Sequence, residues 1–112
     1  KQVGFEAVKA EYEALAKANE NSWRILFSIA NVFSYNEYFK EAIPMWQKTF
    51  DCMPKPRYTD SFEAMAQCCV RMGDHESAVE YYKKELELLR EDWGLKYGAE
   101  VDALEEKIRA LQ

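Results

Sequence analysis

The side chains best suited to metal binding or nucleophilic catalysis are the thiols and the imidazole, and they are few. The chain contains Cys52, Cys68 and Cys69 and a single histidine, His75. No Cys-x-x-Cys pair is present, so the ligand spacing of a zinc site is missing. His75 lies in a turn-like stretch, residues 73–76, with no neighbouring group to activate a nucleophile. We predict no metal site and no catalytic dyad, and we expect reduced thiols, as in a cytoplasmic protein.

Carboxylates are able to act as general acids and bases, but here they are too numerous to mark a site. Asp and Glu account for 20 of the 112 residues, so a pair such as Glu85 and Glu87 is expected on any solvated helix face. A phosphate-binding loop places its glycines between a strand and a helix. Gly94 and Gly98 instead fall in a predicted turn between helices. The sequence therefore predicts a protein that is not an enzyme and binds no cofactor.

Composition and charge narrow the classes of partner. The 112 residues are 48% hydrophobic with a net charge of −5, which is enough chain for one domain with a core of its own. A basic face is typical of nucleic-acid readers, so we expect no direct nucleic-acid binding. The longest apolar stretch, residues 25–33, is interrupted by polar residues and falls well short of the roughly 20 residues of a membrane span. The chain begins with Lys1, and we expect it to be part of a longer protein.

Helical periodicity dominates the sequence. Phe5, Val8, Tyr12 and Leu15 recur at steps of three and four, which places them on one helix face. Strict alternation and hairpin signals are lacking. Pro44 falls inside the third predicted helix, so that helix either begins late or kinks. The predicted helices cover residues 3–19, 22–35, 38–53, 59–72, 75–91 and 97–111.

The predicted breaks contain residues that end or cap helices. The pair at 21–22 supplies a cap for the second helix, and Asp60 with Glu63 has the pattern of a capping box. Gly73-Asp74 suits a left-handed helix end followed by a new cap. The segment Pro54-Lys55-Pro56 separates the third helix from the fourth.

Small and aromatic residues recur with a period close to that of a helical repeat. Ala42 and Ala78, each followed four residues later by an aromatic, are 36 residues apart, and residues 7–19 match the second helix of a preceding unit. The other matching positions are Leu26, Ile29, Ala30, Phe33 and Pro54 in one unit, and Phe62, Met65, Ala66 and Cys69 in the next. Over about residues 5–90 the sequence resembles a tetratricopeptide repeat (TPR) protein, whose period is about 34 residues.

The resemblance implies an all-α fold in which antiparallel helix pairs stack as a short right-handed TPR-like solenoid with a C-terminal capping helix. It also implies a single domain over 1–112. Within that domain, 1–20 would be the second helix of a partial repeat, 22–56 and 58–91 full repeats, and 96–112 the cap. Small residues allow neighbouring helices to approach closely, and the aromatics fill the gaps beside them.

The C-terminal part departs from the repeat pattern. Cys69 replaces an aromatic, Glu85 a small residue and Arg90 the closing proline. Residues 89–104, which include Leu-Arg-Glu and Trp-Gly-Leu, resemble the closing segment of the bacterial transcriptional activator domain, without its prolines. The alternative is that this segment merely caps the solenoid.

In the TPR family the first helix of each unit lines the concave wall, which is the usual recognition surface. That resemblance implies a peptide- or partner-binding groove here. Its residues would be Arg24, Phe27, Asn31, Tyr35, Glu63, Gln67 and Arg71. Asn31 would pair with backbone amides, Phe27 would supply contact area, and an arginine would meet a carboxylate. The alternative for Phe27 is packing against the neighbouring helix.

Trp93 and Tyr97 form an aromatic turn before the last helix. We predict that they pin that helix. The alternative is an exposed patch for a second chain.

Three functional hypotheses follow for this chain. The leading one is a non-catalytic protein–protein interaction module. It would be the regulatory or oligomerising part of a larger cytoplasmic bacterial protein such as a transcription regulator. The second is a domain that senses a peptide or small ligand in the concave groove. The third is a structural scaffold for homo-oligomers.

Overall fold

A computed structural model of the chain describes residues 4–112, and this range is helical with no strand. It contains six helices, which confirms the predicted all-α class and number of elements; the predicted start at residue 3 lies outside the described range. The helices are α1 (Phe5–Ala18), α2 (Trp23–Tyr35), α3 (Phe39–Cys52), α4 (Asp60–Arg71), α5 (His75–Trp93) and α6 (Ala99–Leu111).

The ends of α2, α4 and α5 follow their local sequence. Ser22 caps α2 by accepting a hydrogen bond from the Ile25 N–H at 3.5 Å. Asp74 caps α5, where its Oδ1 accepts from the Ser77 N–H at 3.1 Å. Between α4 and α5, Gly73 has a φ of 80°, a conformation that glycine adopts without steric cost. The predicted caps of α2 and α5 and the predicted helix-ending glycine are therefore confirmed.

The predicted capping box at the start of α4 is wrong. Thr59 is the N-cap, and it makes no side-chain capping bond. Asp60 is already the first helical residue, so its side chain is one position too late to act as the cap. Glu63 instead accepts hydrogen bonds from Gln67 at 2.8 Å and Lys107 at 3.0 Å. Tertiary and intrahelical partners have taken the place of the expected capping bond.

Helix α3 runs through Pro44 and begins at Phe39. Because proline lacks an N–H, the Lys40 carbonyl has no partner one turn later. Pro44 is exposed and lies near the start of the helix. The loss is therefore limited to one bond close to the helix end.

The chain divides into two units, the first ending at Met53 and the second beginning at Pro54. In the first unit α2 packs along α3. Ala30 and Ala42, two of the small residues of the repeat pattern, are both fully buried. Phe5 of α1 is buried as well, and its ring meets the Phe33 ring edge-on at a centroid distance of 5.3 Å. This ring contact joins the N-terminal end of α1 to α2.

In the second unit α5 packs against both α4 and α6. Ala66 and Ala78 are fully buried, as expected for small residues between close helices. The apolar residues of α6 recur at steps of three and four and join the same core. That core contains Ala66, Val79, Tyr82, Leu89, Val101, Leu104 and Ile108. In the part of the chain that the structure describes, no helix has the length and apolar character that crossing a membrane requires.

Candidate functional site

A groove lies between α1 and α2 in the first unit. It encloses about 660 Å³, and its lining includes Val8 and Tyr12 from α1 and Asn31, Val32 and Tyr35 from α2. Pockets that bind small ligands or peptide side chains commonly enclose about 300–1,000 Å³. The groove is therefore large enough for several residues of an extended segment.

The groove lies beside the aromatic contacts of Phe5 at the N-terminal end of α1. The Phe5 ring lies 5.2 Å from the Tyr38 ring and 5.9 Å from the Tyr12 ring, measured between centroids. One turn further along α1, Val8 is 37% exposed, and Leu15 near its C-terminal end is 47% exposed. The apolar face of α1 is thus wider than the area that α2 covers, and the uncovered part forms one wall of the groove.

Asn31 and Tyr35 form the opposite wall. They are four residues apart on α2 and therefore share a face. Tyr35 is 69% exposed. The Asn31 side chain is exposed. An amide offers both donors and an acceptor to a peptide backbone, and a tyrosine offers apolar area with a polar tip. This wall is suited to main-chain hydrogen bonding beside an apolar contact.

Phe27 and Arg24, the other α2 residues predicted to bind, have partners on their own unit. The Phe27 ring is half-buried and meets the Trp46 ring edge-on at 5.0 Å. Trp46 is fixed in turn, since its Nε1 donates to Ser34 Oγ at 2.9 Å. The packing alternative for Phe27 is thus the contact observed. The Arg24 guanidinium is exposed and lies 4.8 Å from the centre of the Trp23 ring.

The predicted α4 residues lie in the second unit. Gln67 Nε2 donates to Glu63 Oε2 at 2.8 Å, and Lys107 of α6 donates to the same oxygen at 3.0 Å. Glu63 is therefore bonded to Gln67 and to Lys107 of α6, whereas Arg71 is exposed at the end of α4. Of the seven predicted residues, the structure brings Asn31 and Tyr35 to one described groove.

Sequence reasoning did not predict Val8 and Tyr12 as groove residues. Their helical spacing places them on one face, and an apolar stripe on a helix is usually core. The stripe on α1 continues from Phe5 to Leu15 on a helix that ends at Ala18. The available signal was the length of this apolar stripe, because α2 covers only part of it.

A buried carboxyl group lies at the α4–α5–α6 contact of the second unit. Glu85 is 6% exposed, and its Oε1 has no hydrogen-bond partner among residues 4–112. Burial raises the pKa of Glu85 to about 8, and the neighbouring charge of Glu63 and a hydrogen bond with it add to the rise. Lys107 opposes the shift. Near neutral pH this environment therefore favours the protonated, neutral form of Glu85.

The thiols do not combine with other groups into a reactive site. Burial raises the pKa of Cys69 to about 11, so little of the nucleophilic thiolate is present at neutral pH. All three cysteines are free of disulfides. Within residues 4–112 no group of three or more His, Cys, Asp or Glu side chains is arranged to hold a metal ion.

Comparison with protein families and with curated proteins gives no evidence about function, so the α1–α2 groove is the main evidence. No protein-family model matches the chain. No curated protein matches it either. Function is therefore inferred from the geometry and chemistry of the groove.

Proposed function

We propose that this chain is a non-catalytic protein–protein interaction module that binds an extended peptide segment of a partner in the α1–α2 groove. The observation that carries the proposal is the pairing of two unlike walls. The exposed Asn31 amide and Tyr35 ring face a groove whose other side is formed by Val8 and Tyr12. Apolar walls with a few polar groups are typical of such sites.

We also propose that the helix pairs stack as a right-handed TPR-like solenoid with α6 as its cap. Support comes from the two helix pairs, α2 with α3 and α4 with α5. It comes also from the small residues of the repeat pattern, because Ala30, Ala42, Ala66 and Ala78 are each fully buried. Small residues buried at two equivalent positions in each helix pair favour a repeated close approach of helices.

The wider setting that we propose is the regulatory or oligomerising part of a larger cytoplasmic bacterial protein such as a transcription regulator. Two observations support it: the similarity of residues 89–104 to an activator-domain ending, and three cysteines without disulfides. The full-length coding sequence tests this part. A DNA-binding domain upstream supports it, and a coding sequence without one refutes the regulator assignment while the interaction module stands.

A random peptide library displayed on phage, selected on the immobilised chain, tests the groove. The double variant Asn31→Ala/Tyr35→Ala should bind the enriched peptides at least tenfold more weakly. Both side chains are exposed, so the free energy of unfolding should change by no more than about 0.5 kcal/mol per residue. The matched control Asn21→Ala/Tyr97→Ala removes the same two residue types at other exposed positions and should bind normally.

Two results would contradict the groove assignment. One is equal binding by the Asn31/Tyr35 variant and the wild type. The other is equal weakening in the control variant, which would show that binding depends on general surface properties and not on this groove.

A second function, homo-oligomerisation, is favoured by the exposed aliphatic residues of the first unit. Leu15 is 47% exposed and Ile25 is 37% exposed, and such residues at a self-association surface would be covered. Light scattering across a hundredfold concentration range should then show a dimer that Leu15→Lys dissociates. A monomer throughout the range refutes this candidate.

A further inference from the structure

A second cleft, separate from the α1–α2 groove, lies wholly in the second unit. It encloses about 380 Å³, and its lining comes from the segment before α4, the end of α5, the following turn and the start of α6. Tyr58 and Trp93 supply aromatic faces, while Asp60 and Glu100 supply carboxylates. Leu95 is among the residues that complete the wall.

The aromatic pair is held in place before any partner arrives. Trp93 Nε1 donates a hydrogen bond to the Arg57 carbonyl at 2.7 Å. The Tyr58 and Trp93 rings stack with centroids 6.5 Å apart and an angle of 25° between their planes. Even so, Tyr58 is 50% exposed and Trp93 47% exposed. The predicted pinning of the last helix by Tyr97 is wrong, since Tyr97 is 82% exposed. Trp93 is pinned instead to the segment that precedes α4.

The charges around the cleft favour a cation. Arg57 does not compete for the acidic residues of the cleft, because its guanidinium donates to both carboxylate oxygens of Asp92 at 2.9 and 3.1 Å. Those bonds, with a smaller contribution from the charge of Lys55, lower the pKa of Asp92 to about 2. Asp60 and Glu100 are exposed and face the cleft as its own carboxylates.

We propose that this cleft binds an arginine side chain of a partner protein, with the guanidinium against the Trp93 indole and paired to Asp60 or Glu100. A cation near a tryptophan face is attracted by the negative potential of the ring. Arginine is favoured over lysine because its flat guanidinium stacks on aromatic rings and donates in parallel to a carboxylate. The overall charge of −5 favours the approach of a basic segment.

This cleft extends the interaction role beyond the α1–α2 groove and shares no lining residue with it. Loss of arginine binding would therefore leave the proposed peptide groove untouched. Loss of peptide binding in the variant Asn31→Ala/Tyr35→Ala would likewise leave arginine binding at this cleft unchanged.

The test uses the full chain labelled with nitrogen-15 and a blocked peptide, acetyl-Gly-Arg-Gly-amide, followed by nuclear magnetic resonance. The chain has three tryptophans, and the Trp93 indole signal is assigned from its absence in Trp93→Phe. We expect this signal to shift in a saturable way with the arginine peptide. The peptide carrying neutral citrulline, which has nearly the same shape, should bind at least tenfold more weakly.

Charge variants separate a specific cleft from general attraction to an acidic protein. Asp60→Asn/Glu100→Gln should weaken arginine binding at least fivefold. Glu6→Gln/Glu11→Gln removes the same charge from exposed positions on α1 and should change it less than twofold. Equal shifts with citrulline, equal weakening in both double variants, or no shift of the Trp93 signal would each overturn the proposal.

Discussion

The buried carboxyl of Glu85 leads to a specific prediction about how stability depends on pH. Glu85 is 6% exposed, and burial together with the Glu63 charge raises its pKa from 4.5 to about 8. An acid with a raised pKa in the folded state holds its proton more tightly when folded. The contribution of Glu85 to stability is therefore fully present below about pH 4.5 and is lost as the pH rises through about 8. The substitution Glu85→Gln keeps the shape and removes the titration.

The size of the effect follows from the pKa and its surroundings. One pKa unit corresponds to about 1.36 kcal/mol, so the full shift sets an upper limit of about 5 kcal/mol. The side chain of Lys107 is 46% exposed and that of Glu63 is 25% exposed, so solvent screens the cluster. We expect the wild type to lose about 2 kcal/mol between pH 5 and pH 9, or roughly 10 °C in Tm.

Urea and thermal unfolding, followed by circular dichroism at constant ionic strength, measure the effect. The wild type should show the loss with rising pH, and Glu85→Gln should lack most of it. Glu87→Gln, an exposed position on the same helix, is the matched control and should follow the wild type. The chain has one histidine, and the thiols, which ionise at about pH 8.5 when exposed, contribute equally to the wild type and to Glu85→Gln. Parallel pH profiles for the wild type and Glu85→Gln would refute the reasoning.

Three further predictions concern packing, an ion pair and a helix end. Ala42→Leu should destabilise the protein by about 1–3 kcal/mol in urea unfolding, because Ala42 is fully buried. The control Ala7→Leu, on the exposed face of α1, should change the free energy of unfolding by less than about 0.5 kcal/mol. Asp92→Asn should lower Tm at pH 7, and its difference from the wild type should shrink as the pH falls towards 2, because Arg57 lowers the pKa of Asp92. Gly73→Ala should cost about 1 kcal/mol through the backbone alone, since φ is 80° there and an added Cβ meets nothing within 4 Å; an unchanged urea midpoint would contradict this.

The helices were predictable because their evidence is local. The pattern of apolar residues repeats within each helix, and the breaks carry residues such as Gly73 and Asp74 whose backbone preferences act within a few positions. The prediction of a capping box at Asp60 and Glu63 was wrong because a local pattern does not show contacts with residues far along the chain. The pattern was present in the sequence, but a lysine 44 positions away, Lys107, bonds to Glu63.

The candidate site was predictable only in part, because a groove depends on which faces are left uncovered. Asn31 and Tyr35 were predicted from their place on α2. The sequence left open whether Phe27 binds a partner or packs, and the contact with Trp46 shows that it packs. Val8 has the same apolar character as a core residue, so only its 37% exposure distinguishes it.

The departure of Glu85 from the repeat pattern is connected with α6. A small residue at that position would let the next helix approach closely, whereas a buried glutamate needs polar partners as well as space. Helix α6 supplies the charged Lys107 and also apolar residues close to it along the helix, such as Leu104 and Ile108. The buried Glu85 is thus matched to a final helix with both a charge and an apolar face. On this argument Glu85→Ala should loosen α6 selectively, and hydrogen exchange should rise in residues 99–111 before it rises in α4.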